Sequence, residues 1–469
     1  MTEPAPENPI LAAWQNTLGR FGQQPAIFAP TGGVLRTFME IGLESLKVGR
    51  LFDRLPPHSV VAVQIGNSEQ WPELLLALWR HQLIPLPLGE LGPTELAYTL
   101  GTCRAAALVT SQGGSLSVHR RPVAEDATHW SGPVPQFLKL TSGTTTAPRA
   151  VRFQAAQLLA DCENICSTMG IGDLDINYGV IPFSHSYGFS NLITPLLVRG
   201  VKLVASTDRF PRAILDGLVR TNATVFPANP IFFQKLGELS NIPALPALRL
   251  CISAGAPLTK AAAAKFSIKL GQKIHTFYGS SECGGIAYDA SEERHYEDGF
   301  VGNAMKGVEI HHSAEEGSPI QVRSAAVGDG YFPTEDSAVL GEGRFVPADL
   351  VERRERGLYV VGRTSEVINV AGRKLNPHDV EARLAEFPGV KQAVVFGVES
   401  PLRGEEPVAC IAGDDLAREA ILRFCQEKLS AWQVPRDVWV VNEIPTNERG
   451  KINRRSLAES YRARLPNRS

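Results

Sequence analysis

The sequence lacks the features that would tie it to nucleic acid or to a membrane. Its 47 Lys and Arg face 49 Asp and Glu, so the formal net charge is −2 and no basic excess is available for a phosphate backbone. No uninterrupted apolar run approaches the ~20 residues that a membrane-spanning helix needs. In this 469-residue chain we therefore expect neither a nucleic-acid partner nor an integral membrane segment.

Cysteine is also scarce. The seven cysteines are odd in number and lack the spacing of a disulfide framework, which predicts reduced thiols. Cys162 and Cys166 lie one helical turn apart, but a metal site would need two further ligands nearby, so a helix core is favoured. The first eight residues are acidic and Pro-rich, unlike a signal peptide, and with the reduced thiols they predict a cytoplasmic protein.

Apolar strands and helices alternate through the first part of the chain. Val60–Ile65 is a nearly continuous apolar run, as in a strand covered on both faces, and a helix is predicted over Glu69–His81. Helices over Gln154–Met169 and Lys260–Leu270 alternate with further strands, which is typical of an α/β domain with mixed or parallel sheets. Thr110–Pro135 is polar and rich in Gly and Pro, and predicts a loop.

The pattern changes twice towards the C-terminus. From Gly299 onward, short strands separated by turns predict a small β-rich subdomain. From Asn376 onward, mixed helices and strands predict a compact α+β unit of about 100 residues. The expected fold is therefore α/β, with a large N-terminal domain of helix-flanked sheets, a β-rich subdomain and a small α+β C-terminal domain.

A run of small hydroxylic residues lies between two predicted strands. Before the run, Phe137, Leu138 and Leu140 predict a buried apolar strand. After it, Pro148 stops regular structure and Arg149 adds a cation. The hydroxylic run itself consists of Thr141, Ser142, Gly143, Thr144, Thr145 and Thr146. Such a loop can surround an anion with backbone N–H groups, hydroxyls and a guanidinium, and phosphate is the anion that these donors suit. A Thr-rich hairpin tip with no ligand is the alternative.

Three later strands also end in small or polar residues. His185 follows one strand, Ser253–Pro257 ends another, and Tyr278–Glu282 ends a third. Ligands of open α/β sheets bind at the carboxyl ends of strands, so these clusters are candidate site segments. Each has a structural alternative: a lone histidine is more often structural, the second cluster forms a tight turn, and the third presents an exposed glutamate.

The hydroxylic run resembles the phosphate loop of the adenylate-forming synthetases, which include acyl- and aryl-CoA ligases, luciferases and the adenylation domains of peptide synthetases. Their pattern is Thr-Ser-Gly-Thr/Ser-Thr-Gly-x-Pro-Lys-Gly. This sequence matches it except at Thr146, Arg149 and Ala150, which replace Gly, Lys and Gly. The resemblance implies that Thr144 and Arg149 act in catalysis and that Thr141, Ser142, Gly143 and Thr145 bind nucleotide.

The strand-end clusters resemble further motifs of the same family. The resemblance implies that His185 gates a carboxylate pocket, with Ser186, Phe189 and Asn229 lining it. It implies contacts to the nucleotide from Gly255, Ala256, Pro257, Tyr278, Gly279, Ser280 and Ser281. Glu282 would be the carboxylate that holds Mg²⁺, an ion that often needs no more than one because it keeps water and takes phosphate oxygens. Asp349 would accept the ribose hydroxyls.

The C-terminal part carries two more matches. Gly362–Glu381 resembles the family's hinge motif, which implies that Arg363 contacts ribose or phosphate, that Ser365 is the hinge and that Gly372 lies on the thiol path. Pro445–Arg455 resembles the motif whose lysine, here Lys451, binds the carboxylate and the α-phosphate. The implied domains are residues 1–364 for ATP and acid, and a mobile domain of residues 365–469.

The resemblance implies an AMP-forming acid–thiol ligase. ATP and Mg²⁺ would activate a fatty or aryl carboxylic acid as an acyl-adenylate with release of pyrophosphate, and coenzyme A would then take the acyl group. Two alternatives stay open: an acyl-AMP ligase that loads the phosphopantetheine of a carrier protein, and a non-catalytic nucleotide-binding homologue. The identity of the acid and homodimer formation are left open by the residues.

Overall fold

A computed structural model of the chain describes residues 8–122, 129–130, 132–141, 149–312, 319–370, 373–400, 404–446 and 452–464. The chain divides into two compact units. The first comprises Met1–His311, Gln321–Pro347 and Arg354–Leu358, and the second comprises His312–Ile320, Ala348–Arg353 and Tyr359–Ser469. Within the described residues, no helix is both long and apolar enough to cross a membrane.

The helices have the following bounds, in chain order. They are α1 Pro9–Phe21, α2 Phe38–Gly49, α3 Trp71–Arg80, α4 Pro93–Thr102, α5 Ala155–Met169, α6 Ser186–Gly188, α7 Thr194–Arg199, α8 Pro211–Thr221, α9 Pro230–Glu238, α10 Lys260–Leu270, α11 Pro377–Leu384, α12 Arg418–Lys428 and α13 Arg454–Arg464. A π-helix, Phe189–Ile193, joins α6 to α7, and Thr364–Glu366 forms a 3-10 turn.

The strands of the first unit alternate with these helices. They are β1 Pro25–Phe28, β2 Val34–Thr37, β3 Val60–Gln64, β4 Ile84–Pro87, β5 Ala105–Gln112, β6 Ser115–Arg120, β7 Phe137–Leu140, β8 Ala150–Phe153, β9 Ile176–Gly179, β10 Lys202–Ala205, β11 Val225–Ala228, β12 Leu250–Ser253, β13 Ile274–Ser280, β14 Gly284–Tyr288, β15 Phe300–Ala304, β16 Val308–His311, β17 Gln321–Ser324, β18 Gly330–Phe332, β19 Leu340–Gly341 and β20 Arg344–Phe345.

Later strands follow in the C-terminal part of the chain. They are β21 Asp349–Arg354, β22 Gly357–Arg363, β23 Ile368–Val370, β24 Arg373–Leu375, β25 Val390–Ser400, β26 Gly404–Gly413 and β27 Asp437–Val441.

A large sheet forms the centre of the first unit. Its strands run in the order β2-β1-β10-β9-β11-β12-β13-β14-β15, with parallel pairing from β1 through β13 and an antiparallel hairpin at β13–β14. The residues of β11 and β12 are all buried, because helices cover the parallel strands and short apolar runs fit between them. Phe233 of α9 and Phe266 of α10 pack edge to face with centroids 5.2 Å apart, in a core that includes Tyr178 and Phe226.

Two smaller sheets complete the part of the first unit that surrounds the site. One has the order β4-β3-β5-β6, and the other joins β18, β8 and β7. Strands β7 and β8 flank the hydroxylic run. In the second sheet β8 pairs with β18, which comes from a distant part of the sequence. The α/β class with a β-rich part is therefore the fold that the sequence predicts.

Two local predictions were wrong. The predicted loop Thr110–Pro135 contains strand β6, which pairs with β5 through a turn at Gly113 and Gly114, both at positive φ. The sequence predicts a regular helix over Ser190–Val198, but its first four residues lie in the π-helix and α7 begins only at Thr194. Pro195 has no N–H to donate to the carbonyl of Asn191, and the side-chain amide of Asn177 donates to that carbonyl at 3.0 Å.

The second unit contains the sheet β24-β23-β26-β25, with β27 parallel to β26. Its core is built from the buried faces of these strands and of α11 and α12, and includes Val395, Ile411 and Ile421. Helix α13 covers another part of the sheet with Leu457 and Tyr461.

A charged network lies inside the second unit. Arg454 donates to Glu381 and lies 3.1 Å from Glu366, while His378 lies 2.9 Å from Glu381 and 3.5 Å from Glu366. Burial opposes charge on Glu366, but the hydrogen bond from His378 and the charge of Arg454 lower the pKa of Glu366 to about 2. Burial also opposes charge on His378, yet bonds to both glutamates raise the pKa of His378 to about 9 despite Arg454.

The raised pKa of His378 predicts a pH-dependent stability of the second unit. Its contribution is complete below pH 6.5, where the unfolded histidine is also protonated, and is lost as the pH rises through about 9. We expect the denaturant midpoint of the second unit to fall over this interval, and His378→Gln to remove most of the fall.

The matched change His119→Gln alters an exposed histidine of the first unit and should leave the slope as it is. Equal slopes for the wild type and His378→Gln would contradict the expected role of the network.

Candidate active site

Residue His185 lies in the turn that follows β9. Its Nδ1 accepts a hydrogen bond from the backbone N–H of Tyr187 at 3.3 Å and so caps the short helix α6. The turn is tight, because a Cβ at Gly188 would overlap the carbonyl oxygen of Pro182. The tight turn therefore fixes the backbone position of His185. Its predicted role as a gate stays a prediction.

Two hydrogen bonds connect this turn to other strand ends. The hydroxyl of Ser186 donates to that of Ser281 at 2.8 Å, and the hydroxyl of Tyr187 donates to the carbonyl of Ile252 at 2.9 Å. The first bond reaches the segment after β13, and the second reaches β12. The turn of His185 therefore contacts the Tyr278–Glu282 cluster directly and reaches β12 at the residue before the Ser253–Pro257 cluster.

The β13–β14 turn presents the carboxylate of Glu282. One carboxylate oxygen accepts from the Ser280 hydroxyl, and the other accepts from the hydroxyl of Tyr331 at 3.1 Å. The guanidinium carbon of Arg149 lies 3.7 Å from the centroid of the Tyr331 ring. Burial and the charge of Glu282 raise the pKa of Tyr331, so the phenol remains a donor at neutral pH. A cation and an anion of the predicted site thus contact one aromatic side chain.

A buried ion pair lies behind this turn. Asp161 of α5 accepts from the backbone N–H of Gly285 at 3.0 Å and from the hydroxyl of Ser190 at 2.6 Å. The ammonium of Lys139 on β7 lies 3.8 Å from Asp161 and donates to Ser190 at 3.3 Å. Burial lowers the pKa of Lys139. The carboxylate joins α5, the π-helix, β7 and the hairpin that carries Glu282.

Sequence reasoning missed Asp161, Lys139 and Tyr331. Asp161 carried a signal, since it lies at helical spacing among the apolar residues of α5, which are Leu158, Cys162, Ile165 and Met169. Lys139 carried another, as a charge inside an otherwise apolar strand. Tyr331 carried none, because its contacts to Arg149 and Glu282 arise only from the pairing of β18 with β8.

The predicted adenine segment follows β12. Gly255 has φ +86°, and a Cβ there would lie 3.1 Å from the side-chain oxygen of Asn229. Gly255 and Pro257 are exposed, and Ala256 is half-buried. The segment is therefore accessible to a ligand and adjoins Asn229, which was predicted for the acid pocket. Phe189 is different: it is 1% exposed and its ring packs 4.3 Å from that of Phe137, so it forms core beside the turn.

At the base of the hydroxylic run, Thr141 donates from its backbone N–H and its hydroxyl to the carbonyl of Arg149, at 2.9 and 3.0 Å. The predicted site residues Ser142, Gly143, Thr144, Thr145, Gly372 and Lys451 lie outside the described residues. Tyr278 and Gly279 lie on β13.

In the second unit, Arg363 donates to Asp349 at 2.7 Å. Asp349 begins β21 and Arg363 ends β22, so the pair lies at one end of two neighbouring strands. Ser365 lies in the 3-10 turn that follows, and the backbone N–H of Thr364 donates to the carbonyl of Ala348 at 2.8 Å. The roles predicted for these residues stay predictions.

The donors around Glu282 are compatible with Mg²⁺. No group of three or more His, Cys, Asp or Glu side chains in the described ranges could form a protein-only metal cage. Mg²⁺ rarely uses such a cage, and commonly takes one or two carboxylates with water and phosphate oxygens. A single carboxylate flanked by the Ser280 hydroxyl fits that pattern.

Comparison with known proteins identifies the family. Residues 134–332 match the AMP-binding enzymes, and residues 379–451 match the C-terminal domain of AMP-binding enzymes. The chain belongs to the adenylate-forming enzyme superfamily. The predicted family and the α/β fold class are therefore confirmed, and the family is one of AMP-binding enzymes, in line with the predicted acid–thiol ligase.

Individual relatives differ in how much of the chain they cover. A probable CoA ligase from Humulus lupulus is 28% identical over 69% of this chain, and the match spans 66% of that relative, just under two thirds. A sulfoacetate–CoA ligase from Cupriavidus necator is 24% identical over 97% of this chain and 98% of its own length. A solved structure of ATP-bound MatB from Rhodopseudomonas palustris has a TM-score of 0.84 over 96% of this chain and 99% of its own, at 21% identity, and supports the fold.

The geometry at Gly255 predicts weaker nucleotide binding when a side chain is added. Gly255→Ala would place Cβ against Asn229 at a positive φ, a conformation that costs an L-residue about 1–2 kcal/mol. Relief of this strain would shift the segment from its place beside Asn229, and a loss of about 1–2 kcal/mol of nucleotide contacts would raise KM for ATP roughly fivefold to thirtyfold with a small change in kcat.

Gly172→Ala is the matched control, because its φ is not positive and no heavy atom lies within 4 Å of the added Cβ. A wild-type KM for ATP in a folded Gly255→Ala protein would remove this segment from the nucleotide site.

Proposed function

We propose that the side chains at this sheet edge activate a carboxylic acid with ATP and prepare its transfer to a thiol. In the first step an oxygen of the acid attacks the α-phosphorus of ATP, the bond to pyrophosphate breaks, and an acyl-adenylate forms. In the second step the thiol sulfur attacks the acyl carbon and loses its proton, and AMP leaves. Neither step needs a protein nucleophile.

The observation that carries the proposal is the convergence of three distant segments. The Ser186–Ser281 hydrogen bond joins the turn after β9 to the turn after β13. The contacts of Tyr331 with Arg149 and Glu282 join the latter turn to the end of the hydroxylic run. A triphosphate needs cations and hydrogen-bond donors near a carboxylate-held metal, and these contacts bring such groups to one edge.

The attack on the α-phosphorus gathers negative charge, and the proposed roles follow from that charge. Arg149 and Lys451 would offset it as cations, and Thr144 with its neighbours would donate hydrogen bonds. Glu282 would hold Mg²⁺, which when bound stabilises negative charge on phosphate oxygens. His185 would gate the acid pocket that Ser186 and Asn229 adjoin.

The second unit would serve both steps in turn. Asp349 and Arg363 would contact the ribose, and the hydrogen bond between them orients both groups. Lys451 serves the first step and the Gly372 segment serves the second. A rotation about Ser365 would exchange them, with residues 365–469 moving as one domain.

The acceptor and the acid are the open parts of the proposal. The names of the relatives favour coenzyme A, while a 3,4-dihydroxybenzoate–[aryl-carrier protein] ligase from Bacillus anthracis, 25% identical over 71% of this chain, supports the carrier-protein alternative. We favour a fatty or aryl acid. The cytoplasmic location stays a prediction.

A panel of acids tests the proposal. With ATP and Mg²⁺, we expect pyrophosphate release that depends on a fatty or aryl acid, followed by thioester formation with coenzyme A. Thioester formed only on a phosphopantetheinyl carrier protein would favour the carrier ligase. ATP binding without pyrophosphate release for any acid of the panel would favour the alternative of a non-catalytic nucleotide-binding homologue.

The proposed cation Lys451 is tested by separating the half-reactions. Lys451→Ala should slow adenylation on the order of 10²–10³-fold, since it removes a charge that acts in the transition state. Thioester formation from supplied acyl-adenylate should change little.

Lys428→Ala removes an exposed cation from helix α12 and is the matched control for both half-reactions. An equal loss in both half-reactions of Lys451→Ala would contradict the role given to Lys451.

A further inference from the structure

Tyr331 connects two groups of opposite charge. It lies on β18, whose pairing with β8 sets Tyr331 opposite Val151 and therefore two residues from Arg149. The ring is 1% exposed, and the guanidinium carbon of Arg149 lies 3.7 Å from its centroid. The phenolic hydroxyl of Tyr331 donates a hydrogen bond to the carboxylate of Glu282 at 3.1 Å.

The guanidinium of Arg149 lies over the face of the Tyr331 ring. The buried Nε of Arg149 has no hydrogen-bond partner among the described residues. A planar guanidinium stacks on an aromatic face, whereas a lysine ammonium is a strongly hydrated point charge. The stack therefore suits the arginine that this chain has where related phosphate loops have lysine.

Both carboxylate oxygens of Glu282 accept a hydrogen bond, and the hydroxyl of Tyr331 is one of the two donors. Ser280 donates to one oxygen of Glu282 and Tyr331 donates to the other. The backbone N–H of Gly328 also donates to the backbone carbonyl of Glu282 at 2.9 Å. The loop before β18 thus contacts the main chain of Glu282, and β18 itself contacts its side chain.

We propose that Tyr331 is a positioning residue for adenylation, with separable roles for its ring and its hydroxyl. The ring orients the Arg149 guanidinium, and the hydroxyl orients the Glu282 carboxylate, so one side chain sets the placement of a cation and an anion around the same triphosphate. The inference rests on the proposed function, which gives Arg149 and Glu282 their roles.

Two substitutions separate these roles. Tyr331→Phe keeps the ring and removes the hydroxyl, so the Mg²⁺ concentration for half-maximal adenylation should rise about threefold to tenfold, because a hydrogen bond to a charged group is lost. Its Kd for ATP at saturating Mg²⁺ should stay within about twofold of the wild type. Tyr331→Leu removes the ring as well, so its Kd for ATP should rise about threefold to thirtyfold even at saturating Mg²⁺.

ATP binding provides a measurement that does not depend on turnover. The Kd for ATP is measured by equilibrium titration over a range of Mg²⁺ concentrations, for each single variant and for the pairs Tyr331→Leu with Arg149→Lys and Tyr331→Phe with Glu282→Gln. Because the partners act through one contact, each pair should be less than additive. A purely structural role would lower stability without producing these two separate couplings.

A matched control removes the same kind of bond elsewhere. Tyr461 donates to Asp437 at 2.6 Å in the second unit, so Tyr461→Phe also deletes a phenol–carboxylate hydrogen bond. It should leave the Mg²⁺ dependence of ATP binding unchanged. Thermal unfolding of every variant identifies any protein that does not fold, and Tyr331→Phe, which keeps the buried ring, carries the test if Tyr331→Leu is unstable.

The outcomes distinguish this inference from the function on which it rests. If Glu282→Gln and Arg149→Lys alter ATP binding, but Tyr331→Phe leaves its Mg²⁺ dependence unchanged and Tyr331→Leu leaves the Kd for ATP unchanged, Tyr331 positions neither group. Fully additive pairs would overturn the inference in the same way. If Glu282→Gln and Arg149→Lys themselves leave ATP binding and pyrophosphate release unchanged, the roles given to these two residues fail and the role of Tyr331 fails with them. A wild-type protein that releases no pyrophosphate with any acid of the panel would instead overturn the proposed function.

Discussion

Parallel pairing from β9 through β13 places the carboxyl ends of several strands at one edge of the first unit. Parallel strands need long connections, so each strand end begins a separate loop, and short polar side chains there cost no core packing. The turn of His185 and the segment at Gly255 are loops of this kind, and the turn of Glu282 is a short antiparallel hairpin that follows β13. These segments lie close together because their strands point in the same direction, although they are far apart in the sequence.

Strand direction alone does not fix the side chains, and buried polar contacts supply the rest. Asp161 receives hydrogen bonds from the hairpin of Glu282 and from the π-helix, with the cation of Lys139 behind it. Removing one member of such a buried pair leaves an uncompensated charge, typically a cost of about 3–5 kcal/mol. The turn of Glu282 is therefore supported both by this ion pair and by Tyr331.

Much of this arrangement could be predicted from local sequence, and the exceptions have physical causes. The helix Lys260–Leu270 was predicted with its observed bounds, because Thr259 caps its start and Gly271 adopts positive φ at its end. Motif residues could be placed at strand ends, but Tyr331 could not, since its partners come from β8 and from the β13–β14 turn. Strand β6 was missed because pairing with β5 stabilises a polar segment that has little strand character alone.

All seven cysteines of the chain are buried. Burial raises the pKa of the Cys103 thiol to about 12 and raises the pKa of the Cys283 thiol, so neither supplies appreciable thiolate at neutral pH. Buried, protonated thiols exchange slowly with disulfides, so the enzyme is protected from mixed disulfides with the oxidised, disulfide form of its proposed thiol substrate. A thiol-reactive dye added to the folded protein would report the free acceptor rather than the enzyme, and slow labelling of Cys410 or Cys425 would mark opening of the second unit alone.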